Sequence, residues 1–531
     1  MTRTQRWTLV ATVIGSGGVF LDGTIVNAAL KHIGQELPRS LVGVLEGQAY
    51  IVGGYLAVLA ALLILAGALS DHYGRRRVFA IGLIGFAAAS ALIGLSPTLE
   101  WLIVFRLAQG AAGALLVPGS LALITHAFGD AERGRAFGIW AASTAALNVL
   151  GPLVGGGIVD TLGWRVAFLI NVPLLGVALW ATIAHLQESR DTETTGRFDW
   201  LGAIVAALAV GGLAFGLIRG QANEWADTAA WIAIVIGLVA LVLFPVLMAR
   251  RPHPLVPLEL FRSRAFTSIN LATFFIYGAL YVTFFYQAVV LQGALGYTAL
   301  GAGAIGLPIG IMLALLSTRV GALAGRLGSR RFLVIGPSLM AIGLLWLARL
   351  PADSTPWKAS IADPASLVPP PSVFIDILPM TILFGIGISL VVAPLTSTLM
   401  SSISGRYSGL GSAINNAIAR VGQPLLGALI FIVVSATYYA ALGPLAGVDA
   451  SDPTVRHAYQ PLNPPAAGAT AAQVTASTQA SIEAFHVAML IGAGLLAIGA
   501  LISWFGLREE AGAARPGGAS DFAEAPAGPG G

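Results

Sequence analysis

Long apolar runs, each closed by a short cluster of charged or turn-forming residues, recur fourteen times along the chain. They fall at 8–30, 47–69, 77–96, 100–126, 136–160, 166–186, 201–219, 229–248, 266–291, 300–322, 332–350, 374–400, 408–434 and 484–507. About 20 apolar residues carry a helix across a bilayer. A strand of a membrane barrel alternates polar and apolar positions over about ten residues, and these runs are longer and continuous. The pattern predicts an all-α polytopic membrane protein with 14 transmembrane helices. Residues 8–30 carry Asp22 and no small-residue cleavage site follows them, so they read as a retained first span rather than a removed signal peptide.

Composition agrees. Of 531 residues, 56% are hydrophobic and 10% charged, against about 25% charged in soluble domains. This excludes a soluble enzyme, a disordered chain and a nucleic-acid binder. The net charge of +4 reflects arginines at helix ends. If the N-terminus is cytoplasmic, nineteen basic residues fall inside (among them Arg3, Arg6, Arg75, Arg76, Arg77, Arg250, Arg251, Arg330 and Arg331) and seven outside (Lys31, Arg39, Arg165, Arg219, Arg349, Lys358 and Arg456). The positive-inside rule then places both termini in the cytoplasm, and a bacterial inner membrane is the expected location. With no cysteine, disulfides and thiol chemistry are excluded.

One segment repeats. Gly67–Arg77 reads GALSDHYGRRR and Gly321–Arg331 reads GALAGRLGSRR, identical at six of eleven positions. Each leaves a span on the cytoplasmic side. A parallel repeat of this kind indicates two structural halves with a cleft between them, which rocking exposes to alternate sides. The expected organisation is a six-helix bundle over 1–190, two inserted helices with linkers over 191–262, and a second six-helix bundle over 263–510. The loops 351–373 and 435–482 are extracytoplasmic and rich in Pro, Ala, Ser and Thr. The second is expected to be partly disordered around Ala466–Ala480, and 511–531 is a disordered cytoplasmic tail.

Ionisable residues inside spans are expensive and are functional candidates by default. Asp22 in span 1 is the proton-coupling candidate, because a carboxylate balanced between desolvation and a nearby cation can take up and release a proton. The competing reading is a structural carboxyl bonded to a neighbouring helix. Arg106 in span 4 does not deprotonate and serves as a fixed charge that tunes a carboxylate or ties a helix interface. For Arg420 in span 13 a tie to backbone carbonyls is the expectation.

These residues carry a resemblance. The segment Leu21-Asp22-Gly23-Thr24-Ile25-Val26-Asn27, the loop Gly67, Leu69, Asp71, Gly74, Arg75 and Arg76, the set Arg106, Gln109, Gly110 and Gly113, the set Gly138, Gly151, Pro152, Gly155 and Gly156, and Gly163-Trp164-Arg165 with Ile170-Asn171-Val172-Pro173 together resemble the major facilitator superfamily. Within it they are similar to the fourteen-span drug:proton antiporters. The resemblance implies a major facilitator fold, two six-helix bundles plus two inserted helices. It implies a cytoplasmic gate in which Asp71 meets the N-terminal end of the span beginning near Ser408. It also implies that the glycine face of span 5 meets the second half. Two departures stand out: Leu147 occupies a place where the antiporter motif has glycine, and Tyr50 one where tryptophan is usual. No acidic residue lies in the apolar core of span 13, which argues against strongly cationic cargo.

Physical reading of the motifs fills in the rest. Gly67 and Gly74 permit a tight turn, and an acid there suits a helix N-terminus. Pro152 kinks span 5, and Gly151 and Gly155, four apart, share a face that admits close helix approach. Span 9 presents Asn270, Thr273, Tyr277, Tyr281 and Phe284 on one face, a candidate lining for an amphipathic-substrate cavity. There is no P-loop, no metal-ligand spacing and no catalytic cluster. The expected activity is proton-coupled export of hydrophobic or amphipathic compounds by a non-enzymatic carrier. It needs no cofactor beyond the proton gradient, and its expected partners are small amphipathic substrates, protons and lipid, with no nucleic acid and a monomeric state. A dedicated exporter of one lipid, siderophore or biosynthetic product is the alternative.

Overall fold

The computed structural model describes residues 1–189, 199–223, 225–252, 254–403, 408–466 and 468–507. Seventeen α-helices occur among them. The first seven are α1 (Arg3–Glu36), α2 (Val44–Tyr73), α3 (Arg75–Gly94), α4 (Leu99–Ala127), α5 (Asp130–Leu162), α6 (Trp164–Leu169) and α7 (Asn171–His185). Then come α8 (Trp200–Ala222) and α9 (Thr228–Arg250), followed by α10 (Arg264–Gly293), α11 (Ala299–Ala304), α12 (Leu307–Leu327) and α13 (Ser329–Leu347). The last are α14 (Leu378–Ser401), α15 (Ser408–Ala446), α16 (Pro453–Ala458) and α17 (Ala471–Gly506). Among the described residues, thirteen helical segments are long and apolar enough to cross a membrane. Helix α5, 33 residues long, occupies the place of the remaining expected span at 136–160.

Two expected spans are each divided. The run at 166–186 forms α6 and α7, with Ile170 between them, and the run at 300–322 forms α11 and α12. In the second case Pro308 stands in the first turn of α12, where a missing N–H costs nothing.

The expected loop 435–482 is mostly helix. Helix α15 continues to Ala446, α16 is a short surface helix, and α17 already begins at Ala471. The expectation of disorder around Ala466–Ala480 is therefore corrected. Thr470 and Gln473 form a reciprocal capping box at the start of α17, satisfying N–H groups that the helix itself leaves open. Ala476, Ser477, Ala480 and Ser481 are buried, so the alanine-rich sequence packs on one face. The expected tail 511–531 lies outside the described residues.

Helix packing follows the same scheme in both parts of the chain. In the first six spans α1 packs on α4, α5 and α7, α2 on α4, and α3 on α4 and α7. In the last six, α10 packs on α14, α15 and α17, α12 on α14, and α13 on α14 and α17. The inserted pair does not stand apart. Helix α8 packs on α9, on α2 and on α15, so it touches both halves.

The bundle has two ends. We call terminal the end holding the start of α1 and the end of α17, and distal the other. Among the described residues, every hydrogen bond between the first six and the last six spans lies at the distal end. Gln48 and Asn463 exchange amide bonds at 3.0 and 3.1 Å. Gln460 accepts from the Val44 N–H, and Gln292 donates to the Asn27 carbonyl at 3.0 Å. The Asp160 carboxylate accepts from the N–H groups of Ala299 and Leu300 at 3.1 and 2.7 Å, so it sits on the N-terminus of α11. These bonds join the two halves at the distal end.

Candidate functional site

The first half buries a polar cluster around Asp22. Asp22 lies near the middle of the 34-residue α1 and is 1% exposed. Its Oδ2 accepts from Arg106 Nη1 at 2.5 Å, while Oδ1 accepts from Gln109 Nε2 at 3.1 Å and Asn171 Nδ2 at 3.0 Å. Gln109 and Asn171 also donate to Ser90 Oγ, at 2.7 and 3.2 Å. Arg106 is 0% exposed. It donates to the Ile51 carbonyl at 3.2 Å and to Gln109 Oε1, and its guanidinium lies 4.2 Å from the centre of the Tyr55 ring. Five helices, α1, α2, α3, α4 and α7, thus converge on one carboxylate.

The cluster is not fully satisfied. Arg106 Nη2, the Tyr55 hydroxyl and Asn171 Oδ1 are buried without a hydrogen-bond partner. Buried polar groups are nearly always paired, and unpaired ones call for an explanation. Here they surround an ion pair in an apolar bundle. A buried ion pair is a poor source of stability, but losing one partner costs about 3–5 kcal/mol.

The sequence offered Asp22 and Arg106 together as the proton-coupling candidates, and the structure brings them into one ion pair. Ser90 and Tyr55 carried no signal, because uncharged polar residues are common in these spans. Gln109 and Asn171 stood in recognised segments but without a role.

The other candidate sets are placed as follows. At the expected gating loop, Gly74 has φ +106, a conformation that only glycine adopts freely. The N–H of Arg76 donates to Glu188 Oε1 at 3.1 Å and that of Arg75 to the Ser189 carbonyl at 3.0 Å. Arg77 lies 3.7 Å from Glu188. Glu188 therefore supplies the carboxylate at the N-terminus of α3. The side chain of Asp71, the surroundings of Gly67 and the residues just before Ser408 lie outside the described residues, and with them the expected Asp71 contact. Gly138 falls in the same class.

The glycine face of α5 is redirected. A side chain at Gly151 would strike Thr24, and one at Gly155 would strike Ile25. Both glycines seat α5 on α1 within the first half, which corrects the expectation that they meet the second half. The contact across the halves is made by the next positions. Gly156 faces the backbone of Ala299 and Leu300, and Gly303 faces the carbonyl of Pro152. Spacing told that Gly151 and Gly155 share a face, not which neighbour it meets. The missing glycine at 147 is also accounted for. The Leu147 side chain fills the space over Gly17, so the bare backbone has moved to the other helix of the pair.

In the expected cavity stripe, Asn270 and Thr273 are buried and bound to one partner. Asn415 Nδ2 donates to Asn270 Oδ1 at 3.0 Å and to Thr273 Oγ1 at 2.9 Å. Tyr277, Tyr281 and Phe284 are half-buried; Phe284 meets Phe384 of α14 at 5.7 Å between ring centres. A cavity of about 660 Å³ opens instead at the distal end, lined in part by Arg39, Glu46, Asp227, Tyr439, Arg456 and Gln460. Glu46 is 3% exposed there, 3.6 Å from Arg219, which also pairs with Asp227 at 2.6 Å. Arg219 thereby ties the inserted helix α8 to α2.

Comparison with known proteins fits this architecture. The model of the Major Facilitator Superfamily matches residues 12–427. The chain is 32% identical to the multidrug resistance protein Stp of Mycobacterium tuberculosis over 95% of this chain and 92% of that one. It is 31% identical to the tetracenomycin C resistance and export protein of Streptomyces glaucescens, over 82% and 77%. The fold resembles that of a bacterial homologue of the human lysosomal transporter Spinster, with a TM-score of 0.63 at 15% identity, covering 95% of this chain and 97% of that one. An auto-inhibited peptide transporter of the POT family gives 0.64 at 16% identity, over 97% and 99%. This multi-span membrane protein is a transporter rather than an enzyme, and it belongs to the Major Facilitator Superfamily.

Proposed function

We propose that the chain is a proton-coupled exporter of hydrophobic or amphipathic compounds, a fourteen-span drug:proton antiporter of a bacterial inner membrane. It works as a monomer with both termini in the cytoplasm and draws on the proton gradient alone, with no cofactor. The drug-resistance relatives support the cargo, and the excess of arginine at the terminal end supports the orientation. The observation that carries the coupling is the buried Asp22–Arg106 pair.

A proton that reaches Asp22 removes the counter-charge of Arg106. The guanidinium then stands buried without its counter-charge, a loss that costs about 3–5 kcal/mol. That cost is relieved when the helices around it part and rehydrate the site, so protonation favours the other cleft orientation. One proton crossing 100 mV supplies about 2.3 kcal/mol, the same order as the strain it imposes. Release of the proton on the cytoplasmic side restores the pair and the starting orientation.

The test is Asp22→Asn in vesicles loaded with a cationic or neutral drug and energised by a proton gradient. Gradient-driven efflux is expected to disappear while slow downhill exchange persists. Undiminished gradient-driven efflux would remove Asp22 from the cycle. A narrower cargo is the second reading, favoured by the relative named for tetracenomycin C alone. Susceptibility of a pump-deficient host to a broad panel separates the two, since a dedicated exporter protects against one compound class.

A further inference from the structure

Among the described residues five charged side chains are buried: Asp22, Glu46, Arg106, Asp199 and Arg420. Asp22 and Arg106 pair with each other. Glu46 has Arg219 at 3.6 Å, and Asp199 has Arg251 at 3.8 Å. Among the described residues Arg420 forms no ion pair with a carboxylate, and no backbone carbonyl accepts from it. The expected tie to carbonyls is thus not what holds it. The ring of Phe20 lies 5.6 Å from the guanidinium. Phe20 belongs to α1 and Arg420 to α15, so the cation stands at the seam between the halves.

Two polar groups on the same seam are buried without a hydrogen-bond partner. Gln423, one turn further along α15, is 3% exposed, and its Oε1 is buried without a partner, packed against Gly53 of α2. The Tyr55 hydroxyl of α2 is unpartnered as well and lies in the electrostatic field of Asp22, Arg106, Arg420 and Tyr281. Asp22 and Arg106 cancel, so the seam carries one net positive charge. A buried charge is tolerated only with a partner, and an intramembrane arginine marks a functional site by default. A seam that holds a fixed cation, a free phenol and apolar rings is complementary to an organic anion on an apolar body.

We propose that Arg420 is the recognition cation for amphiphiles bearing one anionic group, with Tyr55 as a hydrogen-bond donor and Phe20 against the apolar body. This rests on the exporter reading and narrows its substrate class. Deprotonated Asp22 neutralises Arg106 but not Arg420, so the anion site stays charged on both sides of the proton cycle.

The experiment uses the full-length protein in detergent and three dansyl-labelled probes of equal chain length: an alkyl sulfonate, the alcohol and the trimethylammonium. Energy transfer from the tryptophans reports binding. The sulfonate is expected to bind at least tenfold tighter than the alcohol, and the ammonium most weakly. Arg420→Gln should bring the sulfonate to the level of the alcohol, Arg420→Lys should keep part of the preference, and Tyr55→Phe should weaken the sulfonate more than the alcohol. Equal binding of sulfonate and alcohol by the unaltered protein overturns the inference, even if Arg420→Gln does not fold, and leaves the exporter reading standing. If the unaltered protein binds none of the three and also fails to move cationic or neutral drugs under a gradient, the exporter reading falls and the inference with it.

Discussion

Leu147 and Gly17 show how a single position is read through its partner. The side chain at 147 occupies the space that glycine leaves open on α1, and the two helices approach closely with the small residue on either side of the contact. Gly17→Val is expected to overpack this contact at a cost of about 1–3 kcal/mol. Adding Leu147→Ala should recover most of it, a coupling that thermal unfolding of the four variants in detergent measures as a double-mutant cycle. Additive losses would show that the two residues do not bear on each other. The same lesson applies to the buried cluster. Asp22 and Arg106 were legible in the sequence because a charge in an apolar run has no bland explanation. Ser90 and Tyr55 were not, because a serine or tyrosine in such a run has several. Only the fold shows that Ser90 receives Gln109 and Asn171 and that the Tyr55 ring lies under Arg106.

Helices were the most legible level, since runs of about twenty apolar residues leave a chain in lipid little other choice. What the pattern did not carry was where a helix is broken and what its small face meets. The split at Ile170 has no glycine or proline at the break itself. The start of α17 at Ala471 was hidden by low complexity, although alanine is the best helix former and Thr470 caps it. At the distal end, Gly156 of α5 and Gly303 of α11 bring two backbones together. A side chain at Gly156 would meet main-chain atoms that cannot swing aside. Gly156→Val is therefore expected to hold the distal end ajar. A single cysteine at Gln48, 1% exposed in the closed arrangement, would then react several-fold faster with a membrane-impermeant maleimide. The absence of natural cysteines makes the readout clean. Unchanged labelling would mean that the two helices separate without loss of the seal.

For the whole molecule, the repeated loop pointed to two halves, and the pairing of helices follows one scheme in both. The two inserted helices were expected to belong to neither half. Helix α8 lies against both halves, on α2 and α15, with Arg219 bonded to the Leu41 carbonyl and paired with Glu46. Nothing in an apolar run of 23 residues tells which neighbours it meets. If the halves must part at the distal end for transport, fixing them there should stop it. Cysteines at Gln48 and Asn463, bridged by a short bis-methanethiosulfonate through two disulfides, are expected to abolish efflux, and reductive release of the bridge should restore it. Transport that continues with the bridge complete would show that the cycle needs no opening at this end.

Asp160 holds the first N–H groups of α11 from across the divide, beside the place where Gly303 rests on the carbonyl of Pro152. Main chain bearing on main chain has no soft layer to compress and no rotamer to flip. A hinge of this kind parts only when both backbones move together.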